Sequence, residues 1–452
     1  MIAAVPFIMA CNQTGQVNAT LFPASGSENV NPDTHLVLTF SETPVLGDSG
    51  MIRVYDAVTD QVVDSLDLSI PSGPTESRTY GPECDYTKVP YDYTRTVVPT
   101  NKDTRPGTPS GTAEPTPPVY QLTIIGGFTD AFHFYPVIVR DSIATIYLHN
   151  NMLEYGHTYY VTIDNGVLNL ADGSFQGVTK EDEWTFTTKS DMPELSDTLI
   201  VDATGKGDFN TVQGALDFIP DFNEQQTVIL VNPGDYEELV YTRNKWNVKI
   251  KGAGMADTKV HYANNEVFNP HPLTVKTNEW PGTFPSRRAA FMLDNCKDIV
   301  IEDMTIATDL KGQAEGLLIN GERIALYRVH IIGSGDALQA NGTIYMESCE
   351  LDGGGDTILG RGSLFAYKSN FRNGGGPFSW VRNTAGNHGN VFVECTFSTE
   401  DGKQADYGRT KSNHGSAYPD AEFVLIDCKV KNIIPEGWSS IGAKTAKMYE
   451  YN

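Results

Sequence analysis

The sequence predicts an all-β protein built from a β-sandwich followed by a parallel β-helix. Three observations predict this architecture. The 452 residues include 42 glycines and 25 prolines, a content typical of turn-rich β proteins. Short alternating apolar segments fill the first 190 residues, and strand-length apolar segments then recur at intervals of 20 to 33 residues. The length also exceeds that of one ordinary core, so we expect more than one domain. From the change of pattern along the sequence, we divide the chain into three segments, 1–17, 18–190 and 191–452.

The first segment, 1–17, is predicted to be the remnant of an export signal and a linker. Its opening letters, MIAAVPFIMAC, are apolar, and IMAC is similar to a bacterial lipobox, in which Cys11 would carry the lipid. An apolar terminus without a signal role is the alternative. The expected location is therefore outside the cytoplasm, as a periplasmic or cell-surface lipoprotein.

The charge of the chain argues against two classes of partner. A formal net charge of −24 repels nucleic acid and anionic membranes. No apolar run approaches the length of a membrane-spanning helix. An anionic polysaccharide would meet the same repulsion, so a cleft for one requires its own basic lining.

The second segment, 18–190, contains five runs with the alternation expected of strands in a two-sheet sandwich. These runs cover 35–40, 51–55, 142–148, 158–163 and 184–188. A stretch rich in proline and threonine, 72–118, is predicted to be a long loop between strands. The phrases NVNPDTHLVLTFSETPV and LEYGHTYYVTIDNG resemble bacterial immunoglobulin-like modules. We find no catalytic pattern here and expect a spacing or docking role.

The third segment carries a repeat in two columns. The first column holds Met304, Val329, Cys349, Ser369, Cys395 and Cys428, with steps of 25, 20, 20, 26 and 33 residues. Two residues further on, the second column holds Ile306, Ile331, Leu351, Phe371, Phe397 and Val430. Such segments, separated by glycine-rich turns, predict stacked coils of a parallel β-helix with both columns inside. The cysteines are therefore expected in the core, without a redox or metal role.

The repeat places two aspartates at equivalent positions. Asp336 lies five residues after Ile331, and Asp356 lies five residues after Leu351, each in a glycine-rich turn. Adjacent coils are about 4.8 Å apart, so the two carboxylates should lie side by side on the outer face. Two such carboxylates do not ionise together readily, and one pKa should rise. A neutral acid beside an ionised carboxylate suits combined acid and nucleophilic catalysis. Turn aspartates that cap backbone amides, or a calcium site, remain alternatives at this point.

Several motifs from about residue 198 to the C-terminus resemble, in order, those of the pectin methylesterases. They are DATGKGDFNTVQGALDFIP (202–220), which includes an amphipathic cap helix, VNPGDYEELV (231–240), IKGAG (250–254), GQAEGLLI (312–319), GDALQ (335–339), GGDTILG (354–360), YGRTK (407–411) and NIIPEGW (432–438). The resemblance implies a right-handed parallel β-helix and an esterase that acts on pectin-type polysaccharide. It also implies that no metal or organic cofactor is needed.

The same resemblance implies roles for four residues. Asp356 would be the nucleophile that attacks the methyl-ester carbonyl, and Asp336 would be the general acid and then the base. Arg409 would hold Asp356 ionised through charge-assisted hydrogen bonds. Gln313 would donate to the oxyanion, a contribution of roughly 2.7–4 kcal/mol to the barrier.

The chain departs from the family pattern at four positions. Gly335 stands where the family has a glutamine before the first aspartate, and Gln339 is the candidate substitute. Thr357 and Leu359 replace aromatic residues around the second aspartate, and Lys411 replaces a tryptophan. We interpret these changes as altered substrate preference, with loss of activity as the competing interpretation.

Further candidates for substrate binding are Trp380, which could stack on a sugar, and Arg361 and Lys411, which could neutralise uronate carboxylates. Trp380 could equally serve packing, and the basic residues could simply be solvated. Two other functions remain open: a calcium-dependent polysaccharide lyase on the same fold, and a glycan-binding protein with an inactive site. The chain is expected to be a monomer.

Overall fold

The computed structural model describes residues 17–74, 120–128, 132–195, 198–269, 286–411, 415, 417–439 and 441–452. Within these ranges the chain forms thirty-three strands and one short helix. Cys11 and most of the predicted 72–118 loop lie outside the described residues. Among the described residues, no helix combines the length and the apolar character needed to cross a bilayer.

The N-terminal part forms two main sheets. Its strands are β1 (Thr20–Phe22), β2 (Ser27–Val30), β3 (Leu36–Thr39), β4 (Val45–Leu46), β5 (Met51–Asp56), β6 (Gln61–Asp67), β7 (Leu122–Thr123), β8 (Phe132–His133), β9 (Val137–Arg140), β10 (Ile143–Ile146), β11 (Thr158–Ile163), β12 (Leu168–Asn169) and β13 (Thr185–Thr188). One sheet has the order β1-β3-β10-β9 and the other β2-β13-β11-β5-β6. The strand pairs are antiparallel except β2 with β13.

A shared core joins these two sheets into a sandwich. Leu38 and Ile146 from the first sheet and Val54, Val161 and Phe186 from the second belong to one buried hydrophobic cluster. Each of the five predicted strand runs coincides with a strand of the structure. Alternation of buried and partly buried residues, as in β5, corresponds to the apolar alternation that made these strands recognisable in the sequence.

The remaining chain is one continuous parallel sheet wound into coils. Its elements are β14 (Thr198–Val201), α1 (Val212–Phe218), β15 (Thr227–Val231), β16 (Gly234–Glu237), β17 (Val240–Arg243), β18 (Trp246–Lys251), β19 (Thr258–Tyr262), β20 (Phe291–Thr308), β21 (Leu317–Ile332), β22 (Leu338–Ala340), β23 (Thr343–Glu347), β24 (Glu350–Gly353), β25 (Ile358–Gly360), β26 (Ser363–Tyr367), β27 (Asn370–Asn373), β28 (Ser379–Val381), β29 (Asn390–Val393), β30 (Thr396–Thr399), β31 (Glu422–Ile426), β32 (Lys429–Lys431) and β33 (Lys447–Tyr451).

Each coil contributes one strand, or one segment of a long strand, to each of three parallel stacks. The first stack, called here the site face, runs through β17, the starts of β20 and β21, and then β22, β25 and β28. The second contains β23, β26, β29, β31 and β33, and the third β24, β27, β30 and β32. The fold is therefore a parallel β-helix, as predicted.

The register confirms the two interior columns through most of the helix. Met304 pairs with Val329, Ile331 pairs with Leu351, and Phe371 pairs with Phe397. The prediction of burial is wrong for Val430, which is 44% exposed. Its strand, β32, is the last of its stack, so no further coil covers it.

The cysteines of the helix are free thiols among the described residues, and three of them are fully buried. Burial raises the pKa of the Cys349 thiol to about 11. This setting agrees with the predicted core role and leaves these three thiols without reactive character.

Helix α1 closes one end of the β-helix. The side chain of Thr211 accepts a hydrogen bond from the Gly214 amide and begins the helix. The sequence predicts an amphipathic cap helix, but all seven residues of α1 are buried. Asp217 of α1 faces the sandwich, where Asn150 Nδ2 donates to its Oδ2 at 2.8 Å, and Gln213 exchanges hydrogen bonds with the backbone of Tyr241. The sandwich thus covers the face that would otherwise meet water.

The sandwich and the β-helix also share apolar surface. Tyr241, Met292 and Leu318 of the helix belong to the same buried cluster as Phe128 and Phe132 of the sandwich. The two parts therefore pack against each other directly beside the site face.

Candidate active site

The two aspartates lie in matching turns of adjacent coils. Asp336 stands between β21 and β22, and Asp356 stands between β24 and β25. The backbone amide of Asp356 donates to Asp336 Oδ1 at 3.1 Å. Both residues are largely buried: Asp336 is 8% exposed and Asp356 is 6% exposed. The structure thus brings the two carboxyl groups together at the edge of the site face.

Arg409 contacts Asp356 through both guanidinium branches. Its Nε donates to Oδ1 at 2.9 Å and its Nη2 donates to Oδ2 at 2.5 Å. A bidentate pair of this kind favours the ionised carboxylate and fixes its orientation. The guanidinium also lies 4.1 Å from the centre of the Trp380 ring, which limits its movement. The side chain of Asp356 is therefore held in one orientation by this pair.

Asp336 has a different environment. The pKa of Asp336 is raised to about 7, chiefly by burial; Arg288 opposes the rise, and the negative charges of Glu315 and Asp356 add to it. Arg288 Nη2 lies 3.4 Å from Asp336 Oδ2, a much looser contact than the one that Arg409 makes to Asp356. Below about pH 7, Asp336 is therefore mostly protonated, beside a carboxyl group that is paired with an arginine.

Arg288 also orients Gln313. Its Nη1 donates to Gln313 Oε1 at 2.6 Å, while its Nε donates to both oxygens of Glu315 at 2.7 and 2.9 Å. Because Oε1 accepts from Arg288, Nε2 is the amide atom of Gln313 that remains to donate to a ligand. This geometry places the Nε2 donor of Gln313 beside the aspartates.

Gly335 lies too close to the neighbouring coil for a side chain. A Cβ at this position would lie 2.6 Å from the carbonyl oxygen of Gly312 and 3.1 Å from Cα of Gln313. A glutamine could not replace it without a shift of the backbone. The departure from the family pattern therefore has a steric cause in this chain.

The other predicted binding residues are placed as follows. Trp380 is half-buried, and two guanidinium groups lie over its ring, Arg409 at 4.1 Å and Arg382 at 4.4 Å from its centre. Its ring thus contacts arginines here, and stacking on a sugar stays a prediction. Gln339 is buried, and its Oε1 accepts from the Ser286 hydroxyl at 3.3 Å.

Two predicted basic residues lie near the same region. The guanidinium of Arg361 is half-buried, 5.5 Å from the centre of the Tyr418 ring. That ring also makes an edge contact with Trp380. Lys411, two residues after Arg409, is exposed and forms an isolated β-bridge with Ala417. Contact with a uronate stays a prediction for both.

Sequence reasoning missed three charged residues of the site. Arg288 precedes strand β20, where a long segment interrupts the repeat, so no column pointed to it. Glu315 lies inside the quoted motif GQAEG but was not singled out. The carboxyl of Asp406 is half-buried, and burial raises its pKa. In the sequence these three residues are recognisable only as charged residues, and charge alone does not show which residues they contact.

A calcium ion was one alternative for the aspartate pair. Each carboxyl group faces an arginine, Asp336 facing Arg288 and Asp356 facing Arg409, and these cations oppose a divalent metal ion. Among the described residues, Glu237, His261 and Asp309 have ligand atoms close enough together to hold a metal ion. This group includes neither Asp336 nor Asp356. The geometry suits nucleophilic and acid catalysis better than a cation site.

Comparison with known proteins gives a consistent result. The family model described as Pectinesterase matches residues 198–447, more than half of the 452 residues. "Pectinesterase QRT1" of Arabidopsis thaliana is 28% identical over 258 residues, covering 53% of this chain and 64% of that protein. The chain thus spans slightly less than two thirds of that relative. "Pectinesterase 31" of the same plant is 25% identical over 264 residues, covering 56% and 80%.

Solved structures resemble the chain over a similar range. "Pectin methylesterase from Carrot" has a TM-score of 0.47 and 18% identity, and the match covers 58% of this chain and 84% of that one. The family match begins at the first strand of the β-helix, β14, and ends at the start of β33. It therefore includes both aspartates and Arg409. The chain belongs to the pectinesterase family.

Proposed function

We propose that the chain hydrolyses methyl esters of galacturonic acid in pectin-type polysaccharide and uses Asp356 as its nucleophile. The observation that supports this most is the unequal pair: Asp356 is fixed by a bidentate arginine, while burial raises the pKa of Asp336 to about 7. Membership of the pectinesterase family supports the substrate class.

In the first step, a carboxylate oxygen of Asp356 attacks the ester carbonyl carbon. Gln313 Nε2 donates to the oxyanion that forms. The tetrahedral intermediate collapses, the bond to the methoxy oxygen breaks, and Asp336 gives its proton to that oxygen. Methanol leaves, and an anhydride joins Asp356 to the uronate.

In the second step, the now ionised Asp336 accepts a proton from water, and the hydroxide attacks the anhydride. The bond to Asp356 breaks, so the uronic acid is released and Asp356 regains its negative charge. Asp336 is again protonated, which completes the cycle. The proton that Asp336 gave to methanol is thus replaced by one from water.

Arg409 and Arg288 act on this cycle through other residues. Arg409 keeps Asp356 ionised between turnovers. Arg288 keeps the amide of Gln313 turned towards the reacting carbonyl and limits the rise in the pKa of Asp336. Trp380, Gln339, Arg361 and Lys411 are proposed to contact the sugars around the reacting residue.

The finer features of the chain are proposals as well. We assign 18–190 to an immunoglobulin-like sandwich and 191–452 to the catalytic β-helix. The proposal includes export as a periplasmic or cell-surface lipoprotein, with Cys11 as the lipidated residue, and a monomeric state.

The reaction product distinguishes an esterase from a lyase and from a glycan-binding protein. The protein would be incubated with highly methyl-esterified pectin, with and without a chelator, and methanol, acid and ultraviolet absorbance would be followed. Equal release of methanol and acid, unaffected by the chelator, is expected. Unsaturated product that the chelator abolishes would indicate a lyase. Binding without any product would indicate a glycan-binding protein.

A further inference from the structure

One outward side chain from each coil forms a column along the site face. Successive strand pairings and one isolated bridge connect its members. They are Tyr241, Met292, Leu318, Gln339, Leu359, Trp380 and Arg409. Because Leu317 and Ile319 on either side of Leu318 belong to the interior cluster, Leu318 itself points outward. This column marks the floor on which a polysaccharide would lie, since Arg409 in it contacts Asp356.

The sandwich covers the first three coils of the column. Tyr241, Met292 and Leu318 have no exposed surface and share a hydrophobic cluster with Phe128 and Phe132 of the sandwich. The sandwich backbone lies directly on the helix here: a Cβ on Gly126 would be 1.7 Å from the carbonyl oxygen of Tyr241. No sugar can occupy this part of the site face.

The cover reaches the coil that carries Asp336. The hydroxyl of Ser286 donates to Gln339, the column residue of that coil. The next residue, Arg287, is 2% exposed, and its guanidinium lies 4.4 Å from the centre of the Phe132 ring of the sandwich. A short segment, Ser286–Arg288, therefore links the sandwich contact to the site.

The column continues differently beyond the aspartates. Among the described residues, Leu359 is still buried, with 3% exposed, but it and the half-buried Trp380 and Arg409 belong to neither hydrophobic cluster. Basic side chains lie in this direction, with Arg361 near the column and Lys411 exposed just after it. Positive charge along this part of the floor suits a chain of uronate carboxylates.

We propose that the sandwich and the segment Ser286–Arg288 close one end of the substrate groove, so that the enzyme removes methyl esters at or next to a chain terminus. The inference rests on the proposed function. Only about one coil spacing, roughly 4.8 Å, separates the coil of Asp336 from the covered coil of Leu318. The polysaccharide therefore enters with one end against the wall, and the rest of the chain extends over Trp380 and Arg409.

Chain length tests the proposal on the complete protein. Methyl-esterified galacturonan samples of equal total ester but different mean length would be compared by initial methanol release. The rate is expected to follow the concentration of chain ends, rising about tenfold when the mean length falls tenfold. A rate per ester that does not depend on length would overturn the proposal.

The position of the reaction provides the second measurement. Fully methyl-esterified hexagalacturonide would be partly hydrolysed and sequenced by fragmentation mass spectrometry. The first free acid is expected at one terminus or its neighbour, and labelling of the reducing end shows which terminus. Free acid at the central residues would overturn the proposal. No methanol from any substrate would overturn the proposed function itself.

A variant addresses the wall directly. Arg287→Ala removes the group that stacks on Phe132, and it should raise the share of internally hydrolysed product severalfold. Arg323→Ala, which removes an exposed arginine paired with Asp298, is the matched control and should leave the distribution unchanged. An unchanged distribution in a folded Arg287→Ala protein would contradict the assignment of this wall.

Discussion

The protonation of Asp336 should be measurable as a dependence of stability on pH. The change is Asp336→Asn, which keeps the shape of the side chain and removes its titration. In the wild type, burial raises the pKa of Asp336 to about 7 from an ordinary value of 3.8. The folded protein therefore retains a proton that the unfolded chain loses as pH rises through this window. The contribution of Asp336 to stability must therefore fall between about pH 4 and pH 7 and then level off.

The expected size of this effect follows from the shift. The difference between 7 and 3.8 is about 3 pKa units, and each unit corresponds to 1.36 kcal/mol, so the fall is about 4 kcal/mol. The residue is only 8% exposed, so solvent screening should reduce this value little. Asp336→Asn should remove this contribution and become the more stable protein, relative to wild type, as pH rises from 4 to 8.

The assay is urea-induced unfolding at several pH values between 4 and 8. Burial also raises the pKa of Glu238 to about 7, so both proteins will lose some stability in the same range. The informative quantity is therefore the difference between variant and wild type. Parallel profiles, with no change in that difference across the range, would refute the assignment of a raised pKa to Asp336.

Three further predictions concern activity. Because the general acid must be protonated, kcat should fall as pH rises above about 7; a kcat that is constant from pH 6 to pH 9 would exclude Asp336 as that acid. Arg288→Met should lower kcat about 10²- to 10³-fold, with KM changed little, since Gln313 loses its orientation; an unaltered kcat in the folded variant would contradict this role. Gly335→Gln should reduce activity and thermal stability because its Cβ would meet the carbonyl oxygen of Gly312 at 2.6 Å. Normal stability with higher activity would show that the clash is relieved and that the family residue is functional here.

The sequence carried enough information for the coils and for the aspartate pair because both follow from periodicity. A parallel β-helix repeats its pairing from coil to coil, so equal offsets from Ile331 and Leu351 placed Asp336 and Asp356 in neighbouring turns. Arg409 lies more than fifty residues further along the chain. Only the family motif, and no local pattern, predicted its position.

The remaining features depend on contacts between distant segments. Arg288 follows a long interruption of the repeat, and its partners Gln313 and Glu315 lie on the next coil. Periodicity within the coils could not reveal that link. Nor could it reveal that the sandwich buries Leu318, because an outward leucine in a strand pattern has the same sequence signal whether or not another domain covers it.

The most direct test of the central claim, nucleophilic catalysis by Asp356, is the kcat for methanol release in Asp356→Asn. The matched control is Asp352→Asn, which alters a partly exposed carboxylate bound by His330 on another face of the same coil. We predict a loss of roughly 10⁴-fold or more in Asp356→Asn and wild-type activity in the control. A folded Asp356→Asn protein that releases methanol within tenfold of the wild-type rate would contradict the account.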